Sequence, residues 1–221
     1  NLAGADISGS RLWFSTLDDA DLHGANAYGV DFQGASFTPS TNLAGTVLAS
    51  SVWADVDFRK VNLAQLDFAG GGIDIGGANL SGLNLTKFDW AGISGANGAA
   101  FVGANLSGVT LPGIQMQRVN FARANLTGAD LSGVSDFSGG TRFAGANLTG
   151  ATLAGRDLSA SDFSGATMAG TDLTNARLVN TTFAGATTTG AVTTGVVLAN
   201  WKFAVCANGK NLGANPAAGC F

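Results

Sequence analysis

An apolar residue returns at every fifth position along most of this chain of 221 residues. One uninterrupted stretch of this pattern runs through Leu148, Leu153, Leu158, Phe163, Met168, Leu173 and Leu178. A period of five fits neither the 3.6-residue period of an α-helix nor the two-residue alternation of a long strand. It indicates a solenoid, in which a short unit is stacked many times.

Phenylalanine marks a longer period of 20 to 22 residues, which corresponds to four five-residue units. The Phe column consists of Phe37, Phe58, Phe101, Phe121, Phe143, Phe163, Phe183 and Phe203, with Leu80 at the one missing position. A buried ring removes on the order of 150 to 250 Å² from water. We therefore expect the Phe column to form one aromatic wall of a thin core, with slimmer side chains on the other walls.

Each unit centres on the apolar residue i, with a small residue at i−2, Asn or Asp at i−1, Ser, Thr or Ala at i+1, and often Gly at i+2. The clearest copies are residues 124–128 and 129–133. The pattern resembles the pentapeptide-repeat family over residues 1 to 203. The resemblance implies an all-β, right-handed, four-sided parallel β-helix of about ten 20-residue coils, with i and i−2 inside and the other positions facing solvent.

Successive central residues would occupy the four sides in turn. Side one begins at Leu2, side two at Ile7, side three at Leu12, and side four, which contains the Phe column, at Leu17. Three residues are too large for their i−2 positions: Phe88, Arg156 and Trp201. On side three, one central position falls on either Gly95 or Ala96.

All fifteen acidic residues are aspartates, and twelve of them directly precede a central residue. A short carboxylate at that position can accept a hydrogen bond from the backbone of a tight turn, which favours a structural role over catalysis or metal binding. Sides two and three hold most of them and form a possible partner face. Its residues are Asp31, Asp67, Asp74, Asp89, Asp130, Asp136, Asp157 and Asp172.

The repeat stops after Phe203, so we expect a β-helical domain at 1–203 and a short C-terminal cap at 204–221. Trp201 would close the end of the core. Both cysteines of the chain, Cys206 and Cys220, lie in this cap. Because cysteine is absent from the repeats, we favour a disulfide over two free buried thiols of a cytosolic protein.

A disulfide would place the protein in an oxidising compartment, whether extracellular, periplasmic or lumenal. The segment with Trp201, Cys206 and Gly209 is similar to the ending of exported pentapeptide-repeat proteins. We therefore expect an exported member of the family.

The sequence offers little for catalysis. His23 is the only histidine and occupies an outward i+1 position, which argues against a His-dependent triad or a His-rich metal site. We expect no enzyme activity, no cofactor and no bound metal. No apolar stretch approaches the roughly 18 to 20 residues of a membrane-spanning helix.

Three functions are compatible with these features. The favoured one is a non-enzymatic exported structural or binding protein, whose flat faces contact another protein or assemble end to end with further copies. The alternative is a DNA mimic that binds and protects a type II topoisomerase, as quinolone-resistance members of the family do. A net charge of −4 is small beside that of duplex DNA, which argues against mimicry. A nucleic-acid partner is not expected. A polysaccharide-active enzyme would need a groove of paired carboxylates, which the pattern lacks.

Overall fold

The computed structural model describes residues 1–197. Its residues pair in parallel with partners 20 to 22 positions later, as Asp6 does with Asn26 and Asn125 with Asn147. Longer pairing occurs only between β1 (Ile73–Asp74) and β2 (Ile93–Gly95) within this range. The described residues contain no α-helix; short 3₁₀ helices span Phe58–Lys60 and Leu63–Gln65. The chain therefore forms coils of about four pentapeptides, and each coil pairs with the next.

A tight turn closes each pentapeptide. The carbonyl of central residue Leu126 accepts a hydrogen bond from the N–H of Ala129 at 3.0 Å, and Gly128 between them has φ of +65°. A type II turn needs a positive φ at this third position, which glycine adopts without a steric penalty. The turn is the physical reason for glycine at i+2.

Backbone hydrogen bonds tie each coil to its two neighbours. Leu126 donates to the carbonyl of Asn147 at 2.7 Å, and Gly128 donates to Thr149 at 2.8 Å. In the opposite direction, the N–H of Asn125 donates to the carbonyl of Ala104 at 2.9 Å. Each pentapeptide thus contributes a small piece of parallel ladder.

The chain forms two compact units. The N-terminal unit comprises Asn1–Leu80 and Lys87–Ala100, and the C-terminal unit comprises Ser81–Thr86 and Phe101–Phe221, of which 198–221 lie outside the described residues. Within both units the central and i−2 side chains are largely buried, and the three other positions of the pentapeptide are mostly exposed or half-buried. The expected boundary between 203 and 204 lies outside the described part.

In the C-terminal unit the Phe column is a continuous stack. Phe101 and Phe121, Phe121 and Phe143, Phe143 and Phe163, and Phe163 and Phe183 are stacked with centroid separations of 4.7 to 5.4 Å and interplanar angles of 7° to 19°. Phe203 lies outside the described residues. Parallel stacking follows from the pairing, because each coil repeats the backbone direction of the one before it.

In the N-terminal unit the aromatic core is not a single wall. Trp53 of side three stacks on Phe37 of side four at 5.1 Å and also contacts Phe32 at 4.8 Å and Phe58 at 5.7 Å. An indole is large enough to cross the narrow interior, so it packs among the rings of another side. The expectation of one aromatic wall with slimmer residues elsewhere is wrong for this unit.

The sequence irregularities have local solutions. Phe88, too large for its i−2 position, is half-buried and packs edge-on against Phe68 at 5.7 Å and Trp90 at 4.8 Å. On side three the central residue is Ala96, which is fully buried. Gly95 pairs with Asp74, an i−1 residue, and so takes the i−1 position itself. The third oversized residue, Trp201, lies outside the described range.

Arg156 reaches backbone acceptors. Its side chain is half-buried and its guanidinium donates to the carbonyls of Val134 and Ala154. Such pairing compensates for the loss of water around a partly buried guanidinium.

Candidate functional surfaces

The eight aspartates of the possible partner face share one hydrogen bond. In each, Oδ1 accepts the backbone N–H of the residue two positions later, at 2.7 to 3.0 Å. Asparagines at the same position, such as Asn125 and Asn147, accept the same bond. The carboxylate is therefore first a turn-forming group, and an amide can replace it.

An uncharged residue separates two pairs of these aspartates. On side three, Val52 pairs with both Asp31 and Asp74 and lies between them. On side two, Thr152 separates Asp130 from Asp172 in the same way. Carboxylates two coils apart are separated by about 10 Å at ordinary strand spacing. That distance is too long for two carboxylates to share one proton or one metal ion.

Neighbouring polar groups favour the charged form of some aspartates. The side-chain amide of Gln117 donates to Oδ2 of Asp136 and is the main cause that lowers the pKa of this carboxyl below its ordinary value. Arg59 likewise holds the pKa of Asp57 below its ordinary value through a two-pronged contact at 2.7 and 2.8 Å. These shifts suit fixed anions rather than groups that release and accept protons near neutral pH.

One side of the C-terminal unit carries an amide ladder. The Nδ2 atom of Asn125 donates to Oδ1 of Asn105 in the preceding coil at 3.1 Å. The hydroxyls of Thr127 and Thr149 donate to the asparagines two positions before them at 2.7 Å. The outward side chains of this face are thus fixed by bonds within the face.

Charge is divided unequally between the two units. The N-terminal unit contains ten aspartates against four basic residues, a net charge of −6. The C-terminal unit up to residue 197 contains five aspartates and five arginines, a net charge of zero. The partner-face aspartates are shared equally, four in each unit, so the imbalance comes from other aspartates of the N-terminal unit.

Three exposed aromatic residues interrupt the polar surface of the N-terminal unit. Trp13 is 48% exposed, Phe14 is 75% exposed and Tyr28 is 54% exposed. They are not among the predicted site residues. Their signal was available, because Trp13 and Phe14 occupy the i+1 and i+2 positions after Leu12, where the repeat favours a small polar residue and glycine.

Other expected site features lie outside the described residues or have no counterpart among them. Cys206, Cys220 and Trp201 belong to residues 198–221, so their disulfide and cap stay predictions. Among residues 1–197, His, Cys, Asp and Glu form no group of three that could hold a metal ion. No helix in this range is both long and apolar enough to cross a membrane.

The repeat is recognised by a family model. Pentapeptide repeats match in eight copies over residues 1–38, 99–139 and 141–180, which is more than half of the chain. The chain belongs to the pentapeptide-repeat family. Members of this family fold as right-handed, four-sided β-helices and are generally non-enzymatic structural or binding proteins. The pairing and burial of the described residues agree with this architecture.

Solved structures of pentapeptide-repeat proteins resemble the chain at low identity. One is HetL, which is involved in regulating heterocyst differentiation in the cyanobacterium Nostoc sp. strain PCC 7120. HetL is 23% identical to this chain, and the alignment covers 95% of this chain and 76% of HetL with a TM-score of 0.31. QnrB1, a plasmid-mediated fluoroquinolone resistance protein, is 21% identical, with 90% and 92% covered and a TM-score of 0.40.

A third relative comes from the thylakoid lumen of Arabidopsis thaliana. It is 24% identical, with 52% of this chain and 64% of the relative covered and a TM-score of 0.15. No curated protein matches the chain in sequence. At these identities the likenesses do not extend to function.

Proposed function

We propose that this chain is a non-enzymatic, exported binding protein that presents rigid repeat faces to another protein or to a second copy of itself. The observation that supports it most directly is the hydrogen bond from the i+1 backbone N–H to the i−1 carboxylate or amide, repeated around the coils. Outward side chains held in this way lose little conformational entropy when a partner binds.

The same bond argues against an enzyme. Catalytic carboxylates need a pKa suited to proton transfer, a neighbouring group and a site that excludes water. Here uncharged residues separate Asp31 from Asp74 and Asp130 from Asp172, and the resolved shift of Asp136 lowers its pKa. A surface of fixed anions and amides suits recognition of a partner better than acid–base chemistry.

A photo-reactive amino acid on each face of the C-terminal unit tests the binding function. Suitable i+1 positions are Ser107 on side one, Ser132 on side two, Ser138 on side three and Ala144 on side four. In the native compartment we expect adducts from one side or two adjacent sides, at a defined mass, and none from the opposite side. Equal labelling from all four sides, or no adduct from any, would contradict the proposal.

Assembly with further copies is checked separately by light scattering on the size-fractionated native protein. An adduct whose mass equals two chains, together with a concentration-dependent mass in solution, identifies the partner as a second copy. An adduct with a different protein identifies an unlike partner.

A second candidate function is mimicry of duplex DNA toward a type II topoisomerase, and the charge of the N-terminal unit favours it. The unit has a net charge of −6. About five coils at ordinary spacing span roughly 24 Å, over which duplex DNA carries about 14 negative charges. The deficit makes this the weaker candidate.

A gyrase supercoiling assay with a fluoroquinolone distinguishes the two candidates. Mimicry predicts that the protein restores supercoiling in the presence of the drug and that it inhibits the enzyme at higher concentration. Unchanged drug inhibition over a wide range of protein concentration excludes mimicry and leaves the binding function untouched.

A further inference from the structure

The first coil of the N-terminal unit carries an aromatic patch, which we define as Trp13 and Phe14. The two rings follow one another after Leu12 and are 48% and 75% exposed. Single exposed apolar residues are common on proteins, but adjacent exposed aromatic rings mark interaction sites more often. The repeat does not need them, since small residues fill these positions in most coils.

Phe14 is held in an unfavourable backbone conformation. Its φ is +49°, and it is the only aromatic residue with a positive φ in the described part of the chain. Glycine occupies the equivalent position in most turns, for example Gly9 and Gly24. A bulky residue in the left-handed region is strained, and strain of this kind is concentrated at functional sites.

The ring of Phe14 packs against the neighbouring coil. A Cβ atom added to Gly34 would lie 2.5 Å from Cδ1 and Cε1 of Phe14, so only glycine lets the ring lie against this backbone. The rest of the side chain is open to solvent, since the residue is 75% exposed. The aromatic surface is therefore presented in a defined orientation.

Carboxylates lie in the same unit as the patch. Asp55 stands two coils after Phe14 in the column of i+2 positions Phe14, Gly34 and Asp55, and its Oδ1 lies over Gly77 of the following coil. Gln33 donates a hydrogen bond of 3.0 Å to its Oδ2. Asp18 and Asp19, four and five positions after Phe14, are exposed. Asp19 accepts a hydrogen bond from the hydroxyl of Thr38 at 2.8 Å, which holds it in place.

The patch already shows how a cation binds it. The guanidinium carbon of Arg11 lies 5.1 Å from the centre of the Trp13 ring, within the range of a cation–π contact. The backbone of Arg11 pairs with that of Asp31, so an aspartate stands beside this positive charge in the next coil. The unit as a whole has a net charge of −6.

We propose that the aromatic patch, with Asp18, Asp19 and Asp55, is the docking site for a basic segment of a partner protein. One arginine or lysine side chain of that segment stacks on the exposed ring of Phe14, and neighbouring basic residues reach the carboxylates. The inference rests on the proposed binding function and names the chemistry of the partner. A ring beside fixed carboxylates fits a guanidinium or ammonium better than it fits a neutral or acidic group.

A labelled twelve-residue peptide of four Arg-Gly-Ser repeats tests this site by fluorescence anisotropy against the full chain. A peptide of four Glu-Gly-Ser repeats is the charge control. Two variants remove the patch: Phe14→Gly, which places glycine where φ is positive, and Trp13→Ser, which restores a typical i+1 residue. Val47→Thr is the matched control, because Val47 is 50% exposed in the same unit but lies on side two.

We expect the basic peptide to bind and the acidic peptide not to bind. Phe14→Gly should weaken binding by about tenfold, as expected for loss of one well-placed cation–π contact. Trp13→Ser should weaken it less, because Arg11 already lies over that ring. Val47→Thr should not change the affinity. Circular dichroism melting of all variants checks that the fold persists, and Phe14→Gly should melt no lower than the original chain.

Four results would overturn the inference. The first is no binding of the basic peptide, and the second is equal affinity for it in the original chain and both patch variants. The third is that the original chain binds a neutral sugar, cellohexaose, and Phe14→Gly does not; the fourth is that the original chain self-associates and Phe14→Gly does not. The second result would mean that charge alone attracts the peptide. None of these removes the proposed binding function, because the photo-reactive positions on the C-terminal unit report on it independently.

Discussion

The ring of Phe14 lies against Gly34 in the next coil, so closely that a Cβ on Gly34 would meet Cδ1 and Cε1 of Phe14 at 2.5 Å. Both residues have a positive φ, +49° for Phe14 and +63° for Gly34. The pair combines a residue that the turn disfavours with one that the turn requires. It gives the N-terminal unit an exposed ring with a defined position.

Gly34→Ala should destabilise the protein more than Gly24→Ala. Gly24 has a φ of +64° and open space around it, so its substitution measures backbone strain alone, about 1 kcal/mol. At Gly34 the added methyl also displaces the Phe14 ring, which should cost about 1 kcal/mol more. Denaturant unfolding of both variants measures the difference. Equal losses would mean that the ring moves aside freely.

Phe14→Gly should raise the free energy of unfolding by about 1 kcal/mol, because glycine carries no penalty for a positive φ and the ring buries little surface. Phe14→Ala removes the ring but keeps a Cβ, so it should give less of this gain. Thermal and urea unfolding of the two variants provide the measurement. A loss of stability in Phe14→Gly would show that the contact with Gly34 outweighs the strain.

Phe143→Ala should be among the costly core substitutions. The ring stacks on Phe163 at 4.7 Å and on Phe121 at 5.4 Å, and its removal leaves a cavity between them. The expected loss is about 3 to 5 kcal/mol. Phe143→Leu should cost about 1 kcal/mol, because leucine fills the same column at Leu80. Comparable losses in the two variants would argue against stacking as the source of stability.

Stability should fall in acid through Asp136. Hydrogen bonds from Gln117 and Ser138 lower its folded-state pKa below 3.8, so the carboxylate stabilises the fold above about pH 4, the unfolded value, and this contribution is lost as pH falls through the folded pKa. Asp136→Asn keeps an acceptor for the turn but does not titrate. The stability difference between the original chain and this variant should therefore shrink from pH 7 to pH 2 in urea unfolding. A difference that is independent of pH would contradict the assignment.

Cys206 and Cys220 should be joined in the native protein. Intact mass spectrometry after alkylation should show no added group before reduction and two after it. Alkylation of both thiols in the untreated protein would remove the argument for an oxidising compartment. The pair lies outside the described residues, so this measurement tests the sequence interpretation directly.

Much of the fold follows from local pattern. The five-residue period, the Phe column and the Asn or Asp at i−1 recur in most coils, so one irregular position does not hide the pattern. The interior of the N-terminal unit does not repeat in this way. Trp53 crosses from side three to stack on Phe37, a contact between residues of different sides that depends on how the rings share space.

The surface was harder to interpret than the core. Sorting aspartates by side suggested a partner face, yet their first contacts are with their own turns. The aromatic patch carries no periodic signal, because Trp13 and Phe14 each occur at a position where most other coils have small residues. Departures from a repeat carry the specific information on such a surface.

The amino-acid sequence by itself determined the repeat, the inward positions and the family, because a turn with a positive φ at i+2 and an apolar residue every fifth position permit few other arrangements. Only the tertiary structure decided which distant residues meet, among them Phe14 with Gly34 and Trp53 with Phe37. Those contacts depend on the alignment of one coil with the next, where one or two extra residues shift the pairing from 20 to 21 or 22 positions. Local preferences fix the pentapeptide, whereas packing between coils fixes the surface that a partner encounters.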